Sequence, residues 1–431
     1  MIDEPALITA VRAGDAARVR ALLLNTDADP DVLGADGRSA LDMAVAMASY
    51  EMTGALIDHG AKVDRRSTDG WTPLLRAVDA GAYSIAWRLL SASAPTWPTG
   101  PDGRTALELA RHWHESGAEN ELRRRTGSTG PAELSRVADG EFSSTTGLLR
   151  LGDAQVRTGH TAILCDLEEA HRIRTPFAEL LARAEAEEDL RHVTRSAAVD
   201  VLYRRADRET WEAAAALRTH PRASVRHFGA DVIRCIAFFD GCGGSEGCVE
   251  APGCPAPPSR ELFLGWLAEE TDPEVLAMVI DGLSHTVRSG ILDLVLPHRG
   301  HPSAVVRRAV VVTFRGQPEN PVVGDRLRPV LLACLRDSDA FVRQRACEIL
   351  AERKERSAEV RDAVARLLDD PEEPVRVEAM STLTLLDDPR GEEALERFPH
   401  PYDEDAPYFG QLYLARNHLW RRRAAAGRAA D

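Results

Sequence analysis

One short phrase recurs at a fixed interval near the start of the chain. Asp36-Gly37-Arg38-Ser39-Ala40-Leu41, Asp69-Gly70-Trp71-Thr72-Pro73-Leu74 and Asp102-Gly103-Arg104-Thr105-Ala106-Leu107 begin 33 residues apart. A strict period of that length calls for small identical units that stack, because no single unit can bury its apolar face alone. The Asp-Gly pair opens a turn, since Gly takes positive φ without steric cost and Asp hydrogen-bonds its own backbone. The Ser or Thr that follows is a helix N-cap, and Pro73 suits a first helical position. Short paired helices then fit residues 74–78 and 85–90, and residues 41–47 and 52–57. An upstream unit without its turn covers 7–13 and 19–24. The last copy, 107–113, shows no clear second helix.

The Asp-Gly-x-Thr-Pro-Leu opening, the Ala-rich first helix and the Gly60-Ala61 ending resemble the ankyrin repeat over about residues 3–118. The resemblance implies stacked helical hairpins whose binding surface comprises the turn tips and the exposed positions of each first helix. On matching positions these are Arg38, Met43 and Met47; Trp71, Arg76 and Asp79; and Arg104, His112 and Trp113. The family's His after Pro-Leu, which ties adjacent loops together, is replaced here by Asp42, Leu75 and Glu108, so looser loops are expected. Trp71 at a turn tip has two readings: a contact for a partner, since Trp and Arg dominate interface hot spots, or packing on the neighbouring turn. For His112 and Trp113 the favoured reading is that they cover the exposed end of the stack.

A second, looser period begins near residue 175. An apolar position recurs at Val193, Val225, Val275, Val306, Val342 and Val375, at intervals of 32, 50, 31, 36 and 33. Four residues on stand Ala197, Gly229, Val279, Val310, Ala346 and Ala379. Eight on stand Val201, Ile233, Leu283, Phe314, Leu350 and Leu383. That spacing sets all three on one helical face. His220-Pro221, Asp272-Pro273, His301-Pro302, Asp337-Ser338-Asp339 and Asp370-Pro371 mark the preceding turns, and Arg226, Arg307, Arg343 and Arg376 follow the core Val. The pattern resembles the HEAT repeat, in its phycobilin-lyase variety, over about 175–400. In that family Asp and Arg form a ladder between repeats; the rival reading of the Arg row is a basic strip for a phosphate or an acidic partner.

The expected organisation is therefore all-α, a two-part helical-repeat solenoid of ankyrin repeats followed by a HEAT-like α-superhelix. Residues 1–118 form the ankyrin part. Residues 119–170 are a connector, with a hairpin around Gly152-Asp153 and a helix from His160. Residues 171–400 form the HEAT-like part, and 401–431 a capping helix and tail. The 50-residue interval conceals an insertion at about 240–259 that carries Cys242, Cys248 and Cys254. Thiolates suit zinc, yet the Cys-x2-Cys knuckle is absent, so a metal site, a redox-sensitive loop and a plain insertion all stay open.

Composition narrows the function classes. The net charge of −15 argues against nucleic acid, whose binders neutralise phosphates with a basic face. The acidic start, Met1-Ile2-Asp3-Glu4, lacks the basic region of a secretory signal, and no long apolar run suggests a membrane span; a cytoplasmic protein is expected. Only Lys62 and Lys354 are lysines among 53 basic residues, as in GC-rich actinobacterial coding, so the resemblance is to bacterial ankyrin/HEAT proteins and a single Arg carries little meaning. No catalytic constellation stands out. The HEAT-like part lacks the His-Glu pairs of di-iron hydroxylases, since His114-Glu115 lies in the ankyrin part. Trp211 and Trp266 suggest comparison with DNA glycosylases, but the charge is wrong. His298 and His301 lie in an inter-repeat loop, where a solvated loop is favoured over a pair of ligands, and His400-Pro401-Tyr402-Asp403-Glu404-Asp405 reads as a linker before the final helix rather than a cation site or a filler of the array's own groove. A non-enzymatic scaffold for a protein or peptide partner, without cofactor, is the expected function. An enzyme or metal protein using the HEAT groove or the Cys loop, and a nucleic-acid binder, are the alternatives.

Overall fold

The computed structural model describes residues 4–140, 144–205, 207–239, 259–286, 290–315, 317, 321–398 and 408–430. It is a helical-repeat solenoid with one small sheet, and it divides into two compact units, Met1–Ile236 and Ala237–Asp431.

In the first unit the paired helices are Ala6–Arg12 and Ala16–Asn25 (α1, α2), Ala40–Ala46 and Tyr50–Asp58 (α3, α4), Pro73–Asp79 and Tyr83–Ser91 (α5, α6), and Ala106–Ser116 and Ala118–Thr126 (α7, α8). Ser39, Thr72 and Thr105 cap α3, α5 and α7, each accepting the N–H three residues on. α8 is the second helix that periodicity missed. Five of its nine residues are charged and Leu122 is its one large apolar residue, and it is held by Glu119–Arg123 and by Glu121 with Arg124 and Arg125. Pairs three and four residues apart meet on one helix face, so charge does here what burial does in its neighbours.

Strands Glu133–Ala138 (β1), Thr145–Leu151 (β2) and Ala154–Arg157 (β3) form an antiparallel sheet in the order β1-β2-β3. Gly152-Asp153 turns the β2–β3 hairpin where the sequence places it, with Gly152 at φ +60°. The sheet is locked onto the helical stack by its backbone. Arg157 N–H donates to Ala80 O (3.0 Å) and Gly159 N–H to Gly81 O (3.2 Å). Gly81 is required there, because a Cβ would meet Arg157 O at 2.1 Å. The sheet's other end reaches forward: Thr145 N–H donates to Arg191 O and its hydroxyl to Asp189. The next helix, His160–Ala170 (α9), is not a surface connector. It buries Ile163, Leu164 and Leu167 and packs against α7 and against Val193–Arg205 (α11), which follows Phe177–Glu185 (α10). Arg208–Ala216 (α12) and Ala223–Phe239 (α13) come next.

The second unit continues with Ser259–Glu269, Pro273–Thr286, Ile291–Val295, Ala304–Val312 and Pro321–Cys334 (α14 to α18). Ala340–Glu352, Ala358–Ala365, Glu373–Leu385, Pro389–Arg397 and Phe409–Ala430 (α19 to α23) complete it. All eighteen positions that the looser period nominates as core, from Val193 to Leu383, are buried. The last helix lays Leu412, Ala415 and Leu419 on Val377, Met380 and Leu395. Among the described residues no helix is long and apolar enough to cross a membrane.

Candidate binding surface

The three turns of the strict period have one geometry. In each, a backbone N–H donates across the turn, Gly34 to Arg38 O, Ser67 to Trp71 O and Gly100 to Arg104 O, all at 2.8 Å. Gly37, Gly70 and Gly103 sit at φ +76°, +85° and +81°, where an L side chain is strained. The Asp carboxylates accept from the N–H two residues on, which presents Arg38, Trp71 and Arg104 at the tips.

Those tips are not loose. Asp42 replaces the family's His and is buried, with 1% of its surface in solvent. It accepts from Arg38 Nε at 2.5 Å and from Arg76 Nε, in the next unit, at 2.6 Å. Arg76 also donates to Asp69 at 2.7 Å and to Ser67 Oγ at 3.3 Å. Burial pushes the Asp69 carboxyl up, but the hydrogen bonds from Arg76 and Ser67 outweigh it and bring the group to about 2. Arg66 then donates to Gly70 O and, across to the third turn, to Thr99 O at 2.8 Å. A carboxylate shared by two guanidinium groups has replaced the imidazole as the tie. At the third position Glu108 is occupied otherwise, closing a capping box with Thr105.

The nominated residues therefore separate. Trp71 is half-buried, with Arg76 5.8 Å from its ring centroid, so the ring is packed and still keeps part of its surface in solvent. Met47 is 47% exposed at the end of α3, Met43 is buried, and Arg38 and Arg104 keep part of their side chains in solvent. Trp113 does not belong to an accessible surface. It is 1% exposed, donates from Nε1 to Asp79 (3.0 Å), and stacks on His160 with ring centroids 4.3 Å apart. Asp79 accepts Arg125 with both oxygens, at 2.8 and 2.7 Å, and Arg125 covers the outer face of the Trp113 ring at 4.5 Å. The end of the stack is thus covered by α8 and α9. Burial lowers the His160 pKa to about 4, so the ring is a neutral stacking partner. His112 faces Glu121 at 3.1 Å.

Sequence reasoning passed over Trp97, which at 77% is more exposed than any other large apolar residue described. It stands between Pro95 and Pro98, ahead of the third turn. It walls an open cleft of about 520 Å³ with Ile57, Ala61, Lys62 and Val63. The signal was legible: a Trp flanked by prolines has no helix or strand to be buried in.

In the HEAT-like part the turn residues act alike. His220 and His301 accept through Nδ1, and Asp272, Asp337 and Asp370 through Oδ1, from the N–H two residues on. Each following Arg donates back to two turn carbonyls, as Arg307 does to His301 O and Pro302 O and Arg343 to Asp337 O and Ser338 O. Two of them also bridge to the Asp of the next turn with two bonds each: Arg307 to Asp337 (2.8 and 2.8 Å) and Arg343 to Asp370 (2.8 and 2.7 Å). At Arg307 and Arg343 the row is a ladder between repeats. Trp266 is core, its Nε1 donating to Glu270. His298 and His301 belong to a turn.

Other titratable groups in the first unit are buried for packing. Burial lifts Asp166 to about 7 and Asp200 to about 6, with Arg204 3.9 Å from each offsetting only part of the cost. Cys165 is buried and its thiol is pushed up to about 11 by desolvation, which removes thiolate reactivity. Among the described residues no group of three or more His, Cys, Asp or Glu is placed to hold a metal. Cys242, Cys248 and Cys254, and the stretch from His400 to Asp405, lie outside the described residues.

Comparison with known proteins agrees with both periods. A family model of ankyrin repeats matches residues 7–99 in three copies, and a model of HEAT repeats matches 328–429. Protein phosphatase 1 regulatory subunit 27 of mouse and of human are each 31% identical over 99 residues, 23% of this chain. The chain spans 64% of the length of these curated relatives. Among solved structures, YibA of Escherichia coli is similar at 18% identity over 59% of this chain and 85% of its own, with a TM-score of 0.44. The ankyrin repeat domain of Bcl-3 is 29% identical over 24% of this chain and 45% of its own, with a TM-score of 0.23.

Proposed function

From a chain that carries ankyrin repeats within its first hundred residues and HEAT repeats toward its end, we propose a protein-interaction scaffold whose first unit holds a protein or peptide partner on the turn tips and the first helices. The single observation that carries this reading is the Trp71 tip. An aromatic ring is fixed by Arg76 and the buried Asp42, with part of its surface left in solvent. A large ring immobilised before binding loses little entropy on contact, which is what an interface anchor needs. Arg38, Met47 and Arg104 extend the same set, Arg76 supports it through Asp42 and Asp69, Asp79 is engaged by Trp113 and Arg125 instead, and Trp97 adds an exposed ring outside it. The curated relatives are described as regulatory subunits of a phosphatase, which supports a protein partner rather than a small molecule. The HEAT-like repeats would supply a separate surface, so one chain would bring two partners together.

The test is a cross-linking screen for partners of the full chain, followed by affinity measurement with the partner so identified. Trp71→Ala is expected to weaken binding by more than roughly tenfold, as hot-spot truncations do. Leu89→Val, which alters only a buried aliphatic side chain, should leave affinity within about twofold, since buried packing lies outside the contact. Equal affinity of wild type and Trp71→Ala, with unchanged circular dichroism, would sink the proposal.

A further inference from the structure

The helix α23 has two apolar faces, and its own unit covers only one of them. Leu412, Ala415 and Leu419 lie on Val377, Met380 and Leu395. Tyr413, Leu414 and Trp420 stand on the opposite side, each with more than half of its surface in solvent. At about 100° per residue these three fall with Asn417 and Arg421 in one outward stripe about 120° wide. A stripe of that width is what a helix presents to something it packs on. Tyr413 is already ordered, its ring stacked on Phe409 with centroids 5.6 Å apart. The charges flanking the stripe argue against an anionic partner. Arg422 is paired with Asp387 and Glu392, Arg423 with Glu392 and Glu396, and Arg416 donates to Phe398 O. Within residues 410–424 Arg421 is the single ionised side chain on the stripe. An acidic lipid surface needs a cluster of uncompensated cations, which this face lacks.

We propose that this stripe packs antiparallel against the same stripe of a second copy of the chain, about a two-fold axis through Asn417. The stripe is complementary to itself in that arrangement. Tyr413 and Trp420 lie along one of its edges, Leu414 and Arg421 along the other. The two-fold sets Tyr413 of each copy beside Trp420 of the other, and Leu414 against the aliphatic stem of Arg421. Gly410 faces Ala424, so the helices approach closely, and the two Asn417 amides meet on the axis, each a donor and an acceptor. The two Arg421 positions are about 12 Å apart along the helices, beyond the Debye length of about 8 Å. A parallel pair also makes apolar contacts, but it sets Arg421 against Arg421 and aligns the helix dipoles. Centred one turn nearer either end, the antiparallel pair leaves Trp420 or Tyr413 without an apolar partner. Few side chains take part, so the dimer is weak, with a dissociation constant on the order of 10–100 µM.

Sedimentation equilibrium of the full chain, from about 1 to about 500 µM, is expected to show a monomer passing to a dimer. Trp420→Glu, at an exposed position, should raise the dissociation constant more than roughly a hundredfold, because a two-fold interface loses the contact twice. Circular dichroism should stay unaltered, and Trp71→Ala should leave the dimer unchanged. Asn417→Cys brings one thiol of each copy to the axis, so mild oxidation should give a 417–417 disulfide, identified by mass spectrometry. Ala425→Cys, whose thiols would stand about 24 Å apart along the helices, should not. Four results overturn the proposal. One is a monomer throughout the range; another is a dimer that Trp420→Glu leaves intact. The third is equal cross-linking at 417 and 425. The fourth is binding of the monomeric chain to phosphatidylserine vesicles that Trp420→Glu abolishes, which would give the face to a membrane.

Discussion

The ankyrin turns and the HEAT turns solve one problem, fastening each repeat to the next, with the same two groups and different tolerances. In the first, Asp42 is buried between Arg38 and Arg76, and the turn itself is a backbone device that needs Gly at positive φ and an Asp two residues before the tip. In the second, the turn is a side-chain device. His301 and Asp337 make the same bond to the backbone, so the residue type can change, and the Arg that follows holds carbonyls of its own turn in either case. A backbone requirement admits no drift, which is why the first period holds at 33 while the second, apart from its insertion, runs from 31 to 36. Regularity of sequence here measures how much of the fold rests on backbone conformation.

The sharpest way to break the comparison is Asp42→Ala. It leaves two guanidinium groups over one buried gap and should cost about 3 kcal/mol, as loss of one partner of a buried pair does. Urea unfolding followed by Trp fluorescence, with amide exchange localised to residues 34–42 and 67–76, would register it. A loss below about 1 kcal/mol would show that the tie is surface-like.

Next in size is the pH dependence of the first unit. Folded His160 titrates at about 4, below the ordinary 6.5, so the unfolded chain binds more protons between these values. Its contribution is complete above pH 6.5 and is lost as pH falls toward 4, at most about 3 kcal/mol. His160→Phe, keeping a ring against Trp113, should flatten that limb. Asp166 runs the other way. Its folded value near 7 exceeds the ordinary 3.8, so the folded state holds the extra proton and stability falls as pH rises through that window. Asp166→Asn is expected to raise the unfolding midpoint at pH 8 and to change it little at pH 4.

In the HEAT-like part, Asp370→Ala removes both the turn acceptor and the Arg343 partner and should cost about 2–3 kcal/mol. Asp370→His keeps the turn bond, as His301 does, and should cost about half as much, the difference reporting the bridge alone. Equal losses would mean that Arg343 contributes only to its own turn. The reciprocal change, His301→Asp, is expected to stay within about 0.5 kcal/mol. Gly70→Ala, which no side chain can rescue, should cost roughly 1–2 kcal/mol.

Much of this was legible in the sequence, and the failures have physical causes. The paired helices, the caps and every core position of the looser period follow from spacing, because amphipathic faces and capping residues are local properties. The hairpin at Gly152-Asp153 was legible for the same reason. α8 was not, since charge pairs rather than an apolar stripe hold it. Trp113 was misplaced because burial depends on what comes to rest on a surface, and α8 and α9 close over that end of the stack. Trp97 is the exception, since its flanking prolines marked it in the sequence as a ring with no helix or strand to bury it.

The sequence alone determined that the chain is built from two kinds of stacked helical repeat, because period, turn chemistry and apolar spacing are written residue by residue. Only the tertiary structure decided which of the nominated side chains face solvent, that Asp42 takes the place of a missing His, and that the outer stripe of α23 is left uncovered. Each of these depends on atoms tens of residues apart meeting or failing to meet, and no local pattern encodes that.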